Sequence, residues 1–237
     1  MDMRNYLLFI IIVLCFSLVI YNINFESFNV DNPIEKELII ARCNEDISWV
    51  DNYAKNYKLI TIYNKCDKQI DLRSKNIKII SCINIGSCDY AFLSYIIDRY
   101  DTLPDLMEFT KGWRPPNNDI IMCNDSEYNE ELFNSFMSFK LTDWNFQHTL
   151  NQKKNKKRPF VQSGYNSMGD WIDNTEYLNR DMYRNNLFIT QGQFGTTREH
   201  ILKTKREIWE NLQSQQFFSN EEIDHYIERT WKPLLCK

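Results

Sequence analysis

A chain of 237 residues with 43% hydrophobic and 14% aromatic content can bury one substantial core, which excludes disorder as the default state. A formal net charge of −4 and a pI near 5.5 give no bulk attraction to nucleic acid or to anionic membrane surfaces. With six Gly, six Pro and no internal repeat, collagen-like arrays, Gly/Pro-rich linkers and a multi-glycine phosphate loop are excluded as well.

The first segment with a clear character is "YLLFIIIVLCFSLVIYNI", residues 6–23, which carries no charge and lies close to the roughly 17-residue lower limit for a spanning helix. A cleaved signal peptide is the alternative, but "NINFESFN" offers no small-x-small cleavage site, which favours an uncleaved signal anchor. Arg4 lies before the segment, while Glu26, Asp31 and Glu35 follow it ahead of Lys36. The positive-inside bias therefore predicts a cytosolic tail over residues 1–5, a transmembrane anchor over 6–23, a stem over 24–36 and a lumenal or extracellular domain over 37–237. This is a single-pass, type II arrangement. Beyond Cys15 the cysteines are Cys43, Cys66, Cys82, Cys88, Cys123 and Cys236, an even number able to pair in an oxidising compartment, although spacing does not say which would pair. His148, His200 and His225 do not stand at metal-finger spacing from any Cys pair. Asn124-Asp125-Ser126 is a glycosylation sequon if the domain is lumenal.

After the stem, "KELIIARC" is a short apolar run bounded by charges and predicts a buried strand. "DISWVDNYAKNY" follows, with Trp49, Tyr53 and Tyr57 four residues apart, as on one face of a helix. "KLITIYNK" and "IKIISCINIG" predict two further strands. "SCDYAFLSYIIDRYDTLPD" then places Tyr90, Leu93, Ile96, Ile97 and Tyr100 at helical spacing, and Pro104 ends the helix. "LMEFTKG" predicts a fourth strand stopping at Gly112. Strands alternating with helices argue for a mostly parallel α/β sheet, whose ligand site belongs beyond the carboxyl ends of the strands.

The second half is less regular. A strand is predicted over Asp119 to Cys123, followed by a short helix; "QKKNKKRPF" is a basic surface loop or a contact for a phosphate or diphosphate. "LFITQGQFGTTREHILKTKREIWENL" predicts a strand, a Gly-containing turn, and a helix with Ile201, Leu202, Ile208, Trp209 and Leu212 on one side. In "FFSNEEIDHYIERTW", Ser219 and Glu222 have capping-box spacing, and Ile223, Tyr226, Ile227 and Trp231 form the buried side.

No Ser-His-Asp order, H-E-x-x-H, Walker loop or G-x-G-x-x-G is present. Two polar clusters at predicted strand ends remain. In "ARCNED", Asn44 suits a base or ribose, Glu45 and Asp46 suit ribose hydroxyls, and Arg42 suits phosphate; Asp46 as a helix cap and Arg42 in a surface ion pair are the structural alternatives. In "GQFGTTREH", Glu199 suits a general base with Arg198 beside it for leaving-group charge; a carboxylate in a first helical turn is the alternative.

"IIARCNEDISWV" followed by "ITIYNK" resembles the opening of nucleotide-sugar-dependent glycosyltransferases of the A-type, Rossmann-like fold. More closely, the order "ARCNEDISW", "IYNK", "NIG....FLSYIIDRYDTLPD", "FTKG", "GQFGTTREHIL", "ERTW" over residues 38–233 resembles a family of uncharacterised domains found in fungi and large DNA viruses, itself similar to those transferases. The resemblance implies a membrane-anchored glycosyltransferase-like protein that moves a sugar from a nucleotide-sugar donor to a hydroxyl of a glycan or protein acceptor. It implies a nucleotide site at Arg42, Asn44, Glu45, Asp46 and Arg114, a catalytic pair Glu199 and Arg198, and no nucleic-acid partner. Two positions depart from the family pattern: Gly86-Ser87-Cys88 stands where Gly-Arg-Glu is usual, and Lys111 where Gln is usual. No Asp-x-Asp motif ends a strand, so Asp125 is the nearest candidate ligand for Mn2+ or Mg2+. Without that motif the protein either works with cationic side chains on the diphosphate in place of the metal, or is an inactive member of the fold that acts as a binding or scaffold protein.

Overall fold

In a computed structural model, residues 35–113, 115–116, 129–141, 162–185, 192–218 and 221–236 are described. Five strands, β1 (Lys36–Arg42), β2 (Leu59–Asn64), β3 (Ile77–Ser81), β4 (Leu106–Lys111) and β5 (Phe194–Thr197), form one sheet in the order β3-β2-β1-β4-β5. The first four are mutually parallel and β5 runs antiparallel to β4. The fold is thus a mixed α/β domain with a mostly parallel sheet. The predicted segments 1–23 and 24–34 lie outside the described residues, and among those described no helix is long and apolar enough to cross a membrane.

Alternation along β1 buries both faces, as a central parallel strand requires. Leu38 and Ile40 join Ile60, Ile62, Ile47, Val50, Ala54 and Tyr57 in a smaller core under α1 (Val50–Tyr53) and the 3-10 turn Ala54–Asn56. Ile39 and Ala41 point to the opposite face. There they meet Tyr63, Met107, Phe109 and Phe194, covered by α2 (Asp89–Arg99), α6 (Arg206–Gln215), α7 (Glu221–Glu228) and α8 (Trp231–Leu235). This larger core is built on aromatic contacts. Phe109 stacks on Phe194 at 4.9 Å between ring centroids, Phe194 meets Trp231 at 4.9 Å, and Trp231 stacks on Trp209 at 5.8 Å. Three further α-helices lie among the described residues: α3 (Glu130–Met137), α4 (Met168–Asn174) and α5 (Arg198–Leu202).

Several sequence expectations change here. The helix predicted to carry Trp49, Tyr53 and Tyr57 on one face is shorter: Trp49 and Tyr53 pack edge to face at 5.7 Å, but Tyr57 has left the helix with extended backbone. Its hydroxyl donates to the buried Glu108 and the Lys36 ammonium lies 4.9 Å over its ring, so cross-sheet contacts outweigh the helical spacing. The predicted Gly-containing turn at residues 194–197 is itself β5, since β4 offers it an open edge and the larger core takes Phe194. The helix beyond it is split into α5 and α6, with Leu202 exposed and Ile201, Ile208, Trp209 and Leu212 buried. The strand over residues 119–123, the basic loop and Ser219 of the capping box lie outside the described residues. Glu222 is fully buried, accepting hydrogen bonds from the amides of Leu141 and Ser163 and from the Ser163 hydroxyl.

Candidate functional site

The chain adds β2 and then β3 on one side of β1, and only afterwards places β4 on the other side. The carboxyl ends of β1 and β4 therefore flank a topological switch point, the place where open α/β sheets receive ligands. Arg42, the last residue of β1, is 3% exposed and aims its guanidinium at neighbouring loops. Its Nε donates to Glu45 O (3.0 Å), and its Nη1 donates to Asn64 Oδ1 (2.8 Å) and Lys68 O (2.9 Å). A disulfide between Cys43 and Cys66 ties the same two loops. At the switch point Trp49 Nε1 donates to Gly112 O at 2.9 Å, and Gly112 N donates to Ala41 O at 2.9 Å. A Cβ on Gly112 would stand 3.1 Å from Arg42 Cγ and 3.2 Å from Ile47 Cγ2, so this approach of the β4 loop to β1 favours glycine.

The remaining members of "ARCNED" have separate tasks. Asn44 is exposed at the rim. Glu45 accepts from the Cys43 amide at 2.6 Å. Asp46 accepts from both the amide and the hydroxyl of Ser48, and these bonds hold its carboxyl below the usual range. Asp46 thus makes a local turn ahead of α1, close to its capping alternative. Arg42 is neither an exposed phosphate contact nor half of a surface ion pair.

A second group of polar side chains lies at the carboxyl edge on the larger-core face. Lys65, which follows β2, is buried and donates to the carbonyls of Ile85 and Ser87. These bonds pin a tight turn in which Gly86 (φ 63°) and Ser87 (φ 47°) are both left-handed. Gln216 holds the same turn from the opposite side, its Nε2 donating to Gly86 O (3.1 Å) and to Asp224 Oδ1 of α7 (3.2 Å). Asp89, in the first turn of α2, accepts from Trp231 Nε1 at 2.6 Å and from the Cys88 thiol at 3.7 Å. Lys111 ends β4 and lies 3.6 Å from Glu228, whose other oxygen is 3.6 Å from His225 Nδ1. Gly192 (φ 70°) closes over this pair; a Cβ there would stand 2.2 Å from Lys111 Cε and 2.6 Å from Cys88 Sγ. Cys88 and Lys111 are thus neighbours beneath Gly192.

Burial dominates the electrostatics of this group. It pushes Asp89 up to about 6, with Glu228 adding to the shift, and Asp224 up to about 7, with Asp89 adding. It pulls Lys65 down and pushes the Cys88 thiol up. Burial also opposes the charge of Lys111, but Cys88, Glu228 and Asp89 outweigh it and raise the amine. For Glu228 burial is outweighed by the bond from His225 and the charge of Lys111, so its carboxyl is lowered. Gln216 Oε1 and Gln193 Oε1 are buried acceptors without a hydrogen-bond partner among the described residues.

Arg198 and Glu199 do not join either group. Because β5 is antiparallel, Thr197 pairs with Leu106, and Arg198 N donates to Asp105 O at the amino end of β4. The Arg198 side chain pairs with Asp105 at 3.2 Å, and Glu199 is exposed in the first turn of α5. A full strand length, roughly 20 Å at about 3.3 Å per residue, separates them from Arg42. The candidate catalytic pair and the candidate nucleotide cluster are therefore at opposite edges of the sheet. Arg114 and Asp125 lie outside the described residues, and among those described no group of three or more His, Cys, Asp or Glu could hold a metal ion.

Lys65, Cys88, Asp89, Lys111, Gln216, Asp224 and Glu228 were not among the site residues expected from sequence. Part of the signal was present: Lys65, Cys88 and Lys111 follow or end strands β2, β3 and β4, just as "ARCNED" follows β1. Asp224 and Glu228 are four apart on a helix whose Ile223, Tyr226 and Ile227 are buried.

A family model described as "Protein of unknown function (DUF3431)" matches residues 38–236, and the chain belongs to that family. No curated protein and no solved structure matches it at comparable significance.

Proposed function

We propose that this DUF3431 chain is a glycosyltransferase-like protein with an A-type arrangement, transferring a sugar from a nucleotide-sugar donor to a hydroxyl of a glycan or protein. The observation that carries the reading is the switch point between the carboxyl ends of β1 and β4, where open α/β sheets receive nucleotides. The exposed Asn44 at its rim suits a base or ribose, while Arg42, Glu45 and Asp46 shape the loop. Arg114 and Asp125 stay candidates for diphosphate and for Mn2+ or Mg2+, and no step is routed through a metal. Lys65 and Lys111 supply positive charge at the same edge.

The disulfides support placement in an oxidising compartment: Cys43 is joined to Cys66, and Cys236 is disulfide-bonded as well. With an anchor over residues 6–23, the domain would face the lumen or the exterior. Thermal unfolding of the purified protein against nucleoside diphosphates and nucleotide sugars, with and without Mn2+, tests the reading. A rise of a few degrees confined to one base is expected at ligand well above its dissociation constant.

A second reading, an inactive binding member of the fold, is favoured by one observation: Arg42 Nε and Nη1 are engaged in holding loops. It predicts a nucleotide-dependent shift without release of nucleotide from any donor. No shift anywhere in the panel would overturn both readings.

A further inference from the structure

We propose that Asp224 is the proton acceptor of the transfer site, deprotonating the acceptor hydroxyl; this rests on the transferase reading above. Asp89, Glu228 and Asp224 lie at the carboxyl edge on the larger-core face, and the first two are occupied. Asp89 is 1% exposed and bonded to Trp231 and Cys88, while Glu228 lies between Lys111 and His225. Asp224 is less engaged than either. It is partly exposed, and only its Oδ1 has a partner among the described residues, Gln216 Nε2 at 3.2 Å.

That partner is itself immobilised. Gln216 is fully buried and donates to Gly86 O as well as to Asp224. The carboxylate is thus oriented by the same residue that holds the left-handed turn after β3, at the edge where this fold receives ligands.

Every charged group facing Asp224 bears on its proton. Asp89 of α2 and Glu221 of its own helix oppose ionisation, and Lys65 beyond β2 favours it, as does the bond from Gln216 beside α6. Burial is the largest influence, and the outcome, about 7, suits a base that gains and loses a proton near neutrality. In the step itself the hydroxyl proton passes to Asp224. The hydroxyl oxygen forms its bond to the anomeric carbon with the released pair. The bond from that carbon to the diphosphate oxygen breaks, and its pair leaves on the nucleoside diphosphate.

The test measures nucleotide release from UDP- and GDP-sugars, with water or methanol as acceptor, between pH 5 and 8.5. It compares the full-length protein with its Asp224→Asn and Asp224→Glu variants. Nucleotide binding is followed separately by thermal shift. Wild type is expected to gain turnover with an apparent pKa near 7. Asp224→Asn should lose at least ~100-fold of it and the pH limb while keeping its nucleotide shift. Asp224→Glu should keep the limb with reduced turnover. The amide is isosteric and removes an unfavourable ionisation, so it is expected to fold. Turnover in Asp224→Asn within a few-fold of wild type, with the limb intact, would overturn the assignment. Wild-type binding without turnover would overturn it too, leaving the binding reading. No binding by wild type would instead remove the transferase reading and the role of Asp224 together.

Discussion

Arg42 illustrates how a residue expected at a nucleotide phosphate can be consumed by folding. Its donors reach a backbone carbonyl of its own loop and two acceptors across the β2 loop, at 2.8 to 3.0 Å. Replacing it by Met would keep much of the aliphatic stem but leave Glu45 O, Asn64 Oδ1 and Lys68 O without these donors. The expected cost is about 3 kcal/mol, seen in urea unfolding as a lower midpoint with unchanged slope. Lys should recover only part, because one ammonium cannot match the guanidinium fork. Equal stability of Arg42→Met would return Arg42 to the list of free ligand contacts. Asp224 gives a second residue-level expectation, with a definite sign. Its folded value, about 7, exceeds the ordinary carboxyl value of 3.8, so the folded state retains a proton that the unfolded state has released. The associated stability is fully present below the unfolded value and is lost as pH rises through about 7. His200, whose imidazole burial pulls down, acts in the opposite direction, so the informative quantity is a difference between variants. The melting temperature of Asp224→Asn should match wild type near pH 4 and exceed it increasingly towards pH 8. A gap independent of pH would mean that the carboxyl titrates alike in folded and unfolded chains.

Elements differ in how far their sequence announces them. Strands β1 to β4 were legible because each is a short apolar run stopped by polar residues. Helix α2 was legible from the spacing of Tyr90, Leu93, Ile96 and Ile97. Strand β5 was not: "FGTT" is four residues long with a glycine inside, and it is a strand only because β4 has an edge to offer and Phe109 a ring to stack on. Its antiparallel direction, invisible in local pattern, is what sends Arg198 and Glu199 to the far edge. Likewise the strand ends were legible and the bonds made there were not, since Arg42 meets Lys68 across 26 residues and Gln216 meets Gly86 across 130. Helix α7 shows the same dependence on distant partners. Its Glu222, in capping-box spacing with a Ser219 that lies outside the described residues, binds residues 141 and 163 and pairs with Lys140 at 3.1 Å. Burial works against its charge, yet the bonds from Ser163, Lys140 and Leu141 outweigh it and lower the carboxyl. In Glu222→Gln one acceptor oxygen becomes a donor facing Ser163 or Leu141. Destabilisation by about 2–3 kcal/mol is expected, with hydrogen exchange accelerating first at residues 139–141 and 163–165. Unchanged exchange there would show that the helix does not anchor those segments.

At the scale of the whole molecule, the carboxyl edge is held by three kinds of bond, and their division of labour can be measured. Parallel pairing fixes β1 against β2 from Glu37 and Leu59 to Arg42 and Asn64. Arg42 and Lys68 then bridge the exit loops, with Lys68 Nζ donating to Asn44 O at 3.1 Å. The Cys43–Cys66 disulfide closes a sequence separation of 23 residues over the same ground. Since the native loops are already joined twice without it, the disulfide adds little to native geometry and acts chiefly by restricting the unfolded chain. Chain-entropy reasoning for a loop of this length gives about 3 kcal/mol. A Cys43→Ser, Cys66→Ser double variant should therefore unfold at lower urea with a slightly larger slope, because its unfolded state is less compact. Its native hydrogen-exchange pattern around Arg42 and its nucleotide-induced shift should persist. If the shift vanished while the fold remained, the disulfide would be shaping the ligand site directly, and the loops after β1 and β2 would owe their positions to oxidation rather than to the guanidinium between them.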